Sequence, residues 1–226
     1  GGQLLVASLP PHKGVLAKLA DYFKTQVEQV GIKVELGREA TPEVILKAEP
    51  DAVIIATGVT RLVPKLPGIE MAKLVDAEDV LTGRAEVGAK VVVIGGGVVG
   101  CETAEFLAVK GKKVTIVEMM DNLAAGMERA HKQYLLERLD LLGVNILTET
   151  RGEAVEEEGL LVNTETRTKE VLPADTVVLA TGAVVNQELY RELSGRVSEI
   201  YLVGDCVEPR CIFEAIAEGF DAGRAI

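Results

Sequence analysis

Val91-Val92-Val93-Ile94-Gly95-Gly96-Gly97-Val98-Val99-Gly100 decides the fold, with Cys101 to Lys110 and Lys113-Val114-Thr115-Ile116-Val117-Glu118 behind it. The order is strand, glycine turn, helix, strand, acid. Val91 to Ile94 are four consecutive β-branched residues and read as a buried parallel strand. Gly95-x-Gly97-x-x-Gly100 then opens a helix. Gly95 permits the tight turn, Gly97 lets a pyrophosphate approach the backbone, and Gly100 lets the helix pack closely on the strand. From Val98 on, the helix start offers unpaired N–H groups and a positive dipole end to an anion. Glu118 ends the second strand, where a carboxylate accepts hydrogen bonds from a ribose 2′-hydroxyl. The pattern predicts a dinucleotide site. A 2′-phosphate beside Glu118 would be repelled, and Met119, Met120 and Asp121 supply no cation. Lys112 and Lys113 precede the strand and fall at its far end, so NAD(H) is expected over NADP(H).

The composition agrees with an aliphatic α/β protein. The chain has 226 residues, 48% of them hydrophobic and only 4% aromatic, with no Trp. That length suits one large or two small domains. A net charge of −11 would repel a nucleic-acid backbone, so that partner is not expected. No apolar run reaches the length of a membrane span, and no signal-peptide pattern opens the chain. Cys101, Cys206 and Cys211 make no disulfide framework, which fits a reducing, cytoplasmic setting.

Upstream of the glycine turn, His12 to Val30 reads as an amphipathic helix stopped by Gly31, and Ile32 to Leu36 as a short strand. Thr41 caps a helix with Pro42 at its first position. Residues 61–87, with Pro64, Pro67, Gly68 and Gly83, read as connecting chain holding one short helix near Asp76 to Leu81. Downstream, Glu128 to Leu142 is a helix and Val144 to Leu147 a strand. Glu153 to Glu157, Leu160 to Thr164 and Lys169 to Leu172 then alternate as an antiparallel meander. Asn186 to Leu193 and Ile212 to Ile226 read as helices around a strand, Ile200 to Val203.

Two segments echo each other. Ala52 to Ile55 ends in Ala56-Thr57-Gly58, and Thr176 to Leu179 ends in Ala180-Thr181-Gly182. Each is an aliphatic strand closed by a glycine that permits close approach of a ligand. Two copies flanking the glycine unit imply a chain that leaves one nucleotide-binding layer for another and comes back.

On these features the chain resembles the flavin- and pyridine-nucleotide-disulfide oxidoreductase superfamily. It is most similar to the C-terminal FAD/NAD(P) region of the 2,4-dienoyl-CoA reductase, 2-enoate reductase and trimethylamine dehydrogenase group. Gly1-Gly2-Gln3-Leu4, the two Ala-Thr-Gly turns, Tyr201-Leu202-Val203-Gly204-Asp205 and Cys206-Val207-Glu208-Pro209-Arg210 carry the resemblance. It implies two Rossmann-like layers, an NAD(P) layer at 88–174 and an FAD layer at 1–60 and 175–226. It implies that Gly204 and Asp205 hold a flavin ribityl and pyrophosphate chain, and that Gln3 lies near the flavin. Glu102 would face the nicotinamide pocket; a helix-dipole role is the alternative. For Asp205 the alternative is a helix cap.

The chain also departs from the family pattern. The superfamily's first GxGxxG unit, which holds the FAD pyrophosphate, is not in these 226 residues, so the chain is expected to be a fragment whose flavin affinity is weak. Cys206 and Cys211 follow the Gly-Asp turn, so a structural role is expected for them rather than a redox pair. The resemblance implies a neighbouring barrel domain with FMN and a 4Fe-4S cluster, outside this chain. Three other readings stay open: a stand-alone NADH oxidase or ferredoxin-reductase-type flavoprotein, a glutamate-synthase-like subunit, and a nucleotide-binding module without turnover.

Overall fold

A computed structural model describes residues 2–226 apart from Ala72, Glu165 and Arg167. The chain divides into two compact units. One is the chain up to Gln26 with Val63–Gly182; the other is Val27–Leu62 with Ala183–Ile226.

The first unit is built on a parallel five-stranded sheet. Its strands are β3 (Leu74–Asp76), β4 (Lys90–Ile94), β5 (Lys113–Val117), β6 (Asn145–Leu147) and β10 (Thr176–Leu179). Their order is β3-β10-β4-β5-β6, with Val93 opposite both Val178 and Ile116. Successive residues of a strand face opposite sides, and the packing divides accordingly. Val91, Val93 and Val178 face helices α4 (Ala77–Thr82), α5 (Val98–Val109) and α6 (Arg129–Leu141), together with Leu107, Leu135 and Leu139. Val92 and Val177 face the other way, against Val155, Leu160 and Val162. Those three belong to the expected meander, β7 (Thr150–Glu156), β8 (Gly159–Thr164) and β9 (Lys169–Pro173), which pairs antiparallel with a bulge at Gly152/Ala154. The sheet is therefore covered on both faces, as a parallel sheet requires.

The helix starts follow local chemistry. Asp76 Oδ1 accepts from Glu78 N at 2.9 Å to begin α4, and one Glu128 oxygen accepts from Ala130 N and His131 N to begin α6. α1 (Gln3–Ala7) packs against α4, and α2 (Val15–Val30) carries the chain from the first unit into the second.

The second unit has less sheet. β1 (Ala52–Ile55) pairs parallel with β12 (Glu199–Leu202), and β2 (Val59–Arg61) pairs antiparallel with β11 (Ala183–Val185). Its core gathers Val53, Ile55, Leu193 and Cys206 with side chains from α3 (Pro42–Lys47) and α7 (Glu188–Leu193). Thr41 caps α3 as its sequence predicts, accepting from Val44 N. α8 (Ile212–Ala225) closes the unit. No described helix is long and apolar enough to cross a membrane.

The structure corrects four expectations. Ile32 to Leu36 forms no strand, and Ile32, Val34 and Leu36 stay exposed. Alternating apolar residues need neighbouring strands to bury against, and no described strand pairs with this segment. The helix expected from His12 starts at Val15, since His12 takes a positive φ of 66° that a helix does not accept. The segment 61–87 holds its expected short helix, α4, but it also supplies edge strand β3, so it is more than a connector. Finally, residues 175–182 and the chain up to Gln26, expected in the FAD layer, belong to the first unit. All four residues of β10 are buried, because β3 and β4 flank it in the first unit's sheet.

The chain leaves the second unit shortly after the first Ala-Thr-Gly turn and re-enters it directly after the second. The first copy ends a strand of the second unit and the second copy a strand of the first.

Candidate functional site

In the first unit, the expected residues meet at the carboxyl edge of the sheet. β4 ends at Ile94, and Gly95 turns with a φ of 105°. A Cβ at Gly95 would lie 2.3 Å from Ala180 O, and one at Gly100 would lie 1.8 Å from Gly95 O. The turn is thus closed against both its own helix and the second Ala-Thr-Gly copy, whose Ala180 N–H donates to Ile94 O at 2.9 Å. Gly97 differs. It is the N-cap of α5, no side chain caps the helix there, and a Cβ at that position would meet nothing within 4 Å. The first N–H groups of α5, from Val98 on, are left for an anion arriving over Gly97. The donor set fits a pyrophosphate.

Glu118 stands half-buried one residue past the end of the adjacent strand. Its carboxylate accepts from Gly96 N at 2.6 Å and Met120 N at 2.8 Å. A carboxylate has about four acceptor positions, so capacity remains for a ribose hydroxyl. Gly96, which spacing rules passed over because it occupies a variable position of the motif, is tied into the same turn. A Cβ on it would lie 2.3 Å from Leu123 Cδ2 and 2.9 Å from Glu118 Cβ. Its carbonyl accepts from Ala124 N at 2.7 Å and from the Cys101 thiol. The segment 118–124 is strapped onto the glycine turn, and the run of three glycines was the available signal. Lys112 donates to Val87 O and Lys113 opens β5, so both sit at the opposite end of the sheet from Glu118, as expected.

Glu102 is buried at the fifth position of α5, beyond the first turn, which removes the helix-dipole alternative. Its Oε1 lies 2.6 Å from Lys13 Nζ without hydrogen-bond alignment, and no hydrogen bond satisfies that oxygen among the described residues. Beside it Glu105, 1% exposed, receives both a bond from Arg138 Nε and one of 3.2 Å from Arg138 Nη2. That carboxylate holds the Arg138 guanidinium above its ordinary pKa. His12 Nε2 approaches Glu105 at 3.8 Å. Lys13 and Arg138 were not singled out by the sequence. Gln3 is exposed on α1, and the structure does not join it to the glycine turn; Gly1, cited with it, lies outside the described residues.

The second unit gathers the other expected set at the carboxyl edge of β1 and β12. Val203 N donates to Ile55 O at 3.0 Å, so Ala56-Thr57-Gly58 and Gly204-Asp205 leave adjacent strand ends. Thr57 Oγ1 donates to Asn186 O at 2.6 Å, and Asn186 N donates back to Gly58 O. Gly204 turns with a φ of 71° and its N–H donates to Glu218 Oε2 at 2.7 Å. Asp205 Oδ1 accepts from Arg210 N at 3.3 Å. Asp205 caps no helix here, since it lies inside the 3-10 turn Gly204–Cys206, whose N-cap is Val203, and α8 has Cys211. A half-buried carboxylate with spare acceptor positions at a strand end fits a polyol chain.

All three cysteines are free thiols. Burial pushes the Cys101 thiol up to about 11, and the buried Cys206 thiol donates to Ile55 O and Val203 O. Three cysteines, two of them buried, do not fit a four-cysteine iron–sulfur cluster.

Residues 13–219 match the pyridine nucleotide-disulphide oxidoreductase family. The chain is 36% identical to a bilirubin reductase of Mediterraneibacter gnavus, over all of this chain and 35% of that protein. It is 35% identical to an NADH oxidase of Thermoanaerobacter brockii, over all of this chain and 36% of that protein. A solved 2-naphthoyl-CoA reductase, in complex with 2-naphthoyl-CoA, superposes with a TM-score of 0.95 at 30% identity, over all of this chain and 34% of the other. The chain thus spans about a third of the length of these relatives.

Proposed function

The chain belongs to the pyridine nucleotide-disulphide oxidoreductase family, and from that premise we propose that it is the NAD(P)H-binding part of a flavin-dependent oxidoreductase. One observation carries the reading: the uncapped, sterically open Gly97 at the start of α5, with Glu118 on the next strand end. The helix start binds the pyrophosphate, and Gly95 and Gly100 let the backbone close beneath it. Glu118, with Met119, Met120 and Asp121 beside it and no neighbouring cation in that run, favours the ribose hydroxyls of NAD(H) over the 2′-phosphate of NADP(H). The Lys13–Glu102 pair gives the face of α5 a fixed polar group for a nicotinamide. The second unit offers Thr57, Gly58, Gly204 and Asp205 to FAD.

When both groups are bound, the chemistry they supply is hydride transfer from nicotinamide to flavin, and this chain's residues bind and orient them. The onward acceptor is an enoate or dienoyl-CoA reductase site in a barrel domain carrying FMN and a 4Fe-4S cluster. The relatives named reductases, each about three times as long as this chain, support that arrangement. The NADH oxidase relative supports a second reading, a flavoprotein whose acceptor is not an enoyl thioester. A cytoplasmic setting is part of this proposal, supported by a sequence whose three cysteines make no disulfide framework.

The test is anaerobic addition of NADH to the FAD-loaded natural protein, followed by its visible spectrum. Bleaching of the flavin band supports the reading. An unchanged spectrum with NADH in excess overturns it.

A further inference from the structure

Glu218 lies fourteen residues beyond the Gly204-Asp205 turn, on α8, and the expected site did not include it. Yet two of its contacts, with a third made by Arg210, close a ring around that turn. Gly204 N–H donates to Glu218 Oε2 at 2.7 Å, and the Arg210 guanidinium donates to the other oxygen, Oε1. The ring is completed by Arg210 N–H, which donates to Asp205 Oδ1 at 3.3 Å. Both charged side chains are about two-thirds buried, at 27% and 32% exposure. The contacts keep the two ions paired: Arg210 holds the Glu218 carboxyl below its ordinary pKa, helped by the Gly204 N–H.

We infer that Glu218, braced by Arg210, is a positioning residue that sets the Gly204-Asp205 turn for the ribityl and pyrophosphate chain of a flavin. This rests on the flavin reading of the second unit. The physical reasons are three. Gly204 sits in the left-handed region, facing Ala215 of α8. Glu218, one turn further along α8, fixes the Gly204 N–H, and so the direction in which the chain presents Asp205. The bare carboxylate would repel a pyrophosphate. With Arg210 as counter-ion the pair is neutral, so the turn is held without adding a negative charge to an anion site. Arg210 does both tasks at once, because its own N–H orients the Asp205 carboxylate while its side chain neutralises Glu218.

The experiment measures FAD affinity by flavin-fluorescence titration of the natural full-length protein and of its Glu218→Ala and Glu218→Gln variants. NADH affinity by calorimetry and thermal melting are recorded on the same samples. Glutamine keeps an acceptor for Gly204 N–H and alanine does not. Glu218→Ala is expected to weaken FAD about tenfold or more, the size of one lost charged hydrogen bond. Glu218→Gln is expected to recover most of that, with NADH affinity unchanged in both. FAD affinity unaltered in Glu218→Ala overturns the inference, as does a Gln variant as weak as the Ala variant. A parallel fall in FAD and NADH affinity overturns it too, since Glu218 would then act on the fold at large. If the unsubstituted protein takes up no FAD, it is the flavin reading itself that falls.

Discussion

The two units present the same kind of turn at the carboxyl end of parallel strands, but they hold it by different means. In the first unit, β4 lies between β10 and β5, its Val91 to Val93 are wholly buried, and sheet faces are covered by helices on one side and the meander on the other. The glycine turn above them is shaped by close backbone contact: Gly100 against Gly95, Gly95 against Ala180. In the second unit, β1 has one parallel neighbour among the described residues, and Ile54 is 41% exposed on it. Its turns are tied by polar contacts: Thr57 to Asn186, Gly204 to Glu218, Asp205 to Arg210. Both turns hold a glycine N–H on a carboxylate, Gly96 on Glu118 and Gly204 on Glu218; the first is closed further by backbone packing and the second by the Arg210 ion pair. The lesson is that one local device can be backed either by packing or by charge.

The largest expected effect breaks this contrast in the core. Leu107→Ala or Leu139→Ala removes a wholly buried side chain from the first unit and should cost about 2–5 kcal/mol. Ile54→Ala in the second unit should cost under about 1 kcal/mol, as an exposed position does. Denaturant unfolding of the three variants checks this, and equal losses would contradict it. Next in size is local opening. Amides of Val91 to Ile94 should exchange hydrogen at least about 100-fold more slowly than those of Ile54 and Ile55, whose sheet opens without global unfolding. Exchange measured by mass spectrometry separates the two segments.

A smaller effect concerns the nucleotide. Glu118→Ala should narrow the preference for NADH over NADPH by about tenfold. It should leave FAD affinity alone, because the residue belongs to the first unit. Calorimetry with both nucleotides reads the ratio, and an unchanged ratio would remove Glu118 from the ribose site.

The smallest effect is a titration. The folded-state pKa of Glu218 is depressed by Arg210 and the Gly204 N–H. The contact is therefore intact above the ordinary carboxylate range and is lost as pH falls through the lowered value. Asp175 in the first unit has the same sign, depressed by the N–H groups of Lys90 and Ala89. In an NMR titration, the Gly204 and Lys90 amide shifts should both move at a pH below the ordinary carboxyl values, 4.5 for Glu218 and 3.8 for Asp175. Movement at or above those values would contradict the pairing.

What the sequence made legible was local. Val91 to Glu118 could be read because each step, strand, turn, helix and strand, has its own period or residue signal. The meander was equally readable, from alternation and a Glu158-Gly159 turn. What escaped depends on distant partners. The neighbours of β10 are 85 or more residues away, as Thr176 opposite Val91 shows, so its place in the first unit's sheet left no trace in its own four residues. β2 and β11 are three residues each, too short for a period, and form because they pair with each other. Ile32 to Leu36 has the alternation of a strand and no described strand beside it. At the site, the motif found Gly95, Gly97, Gly100 and Glu118, while Gly96, Lys13 and Arg138 are defined by contacts across the fold.

The central claim, that an anion is bound over the open start of α5, is tested most directly at Gly97. Its φ is ordinary, at −64°, and a Cβ there meets nothing within 4 Å, so Gly97→Ala leaves the fold in place at a cost of about 1 kcal/mol or less. The measurement is calorimetric titration of NADH into the unsubstituted chain and the Gly97→Ala variant, with melting curves for both. The expected result is that the unsubstituted chain binds NADH and the variant loses at least about tenfold in affinity while melting almost unchanged. Equal NADH affinity in the two proteins would contradict the claim and remove the nucleotide from this helix start.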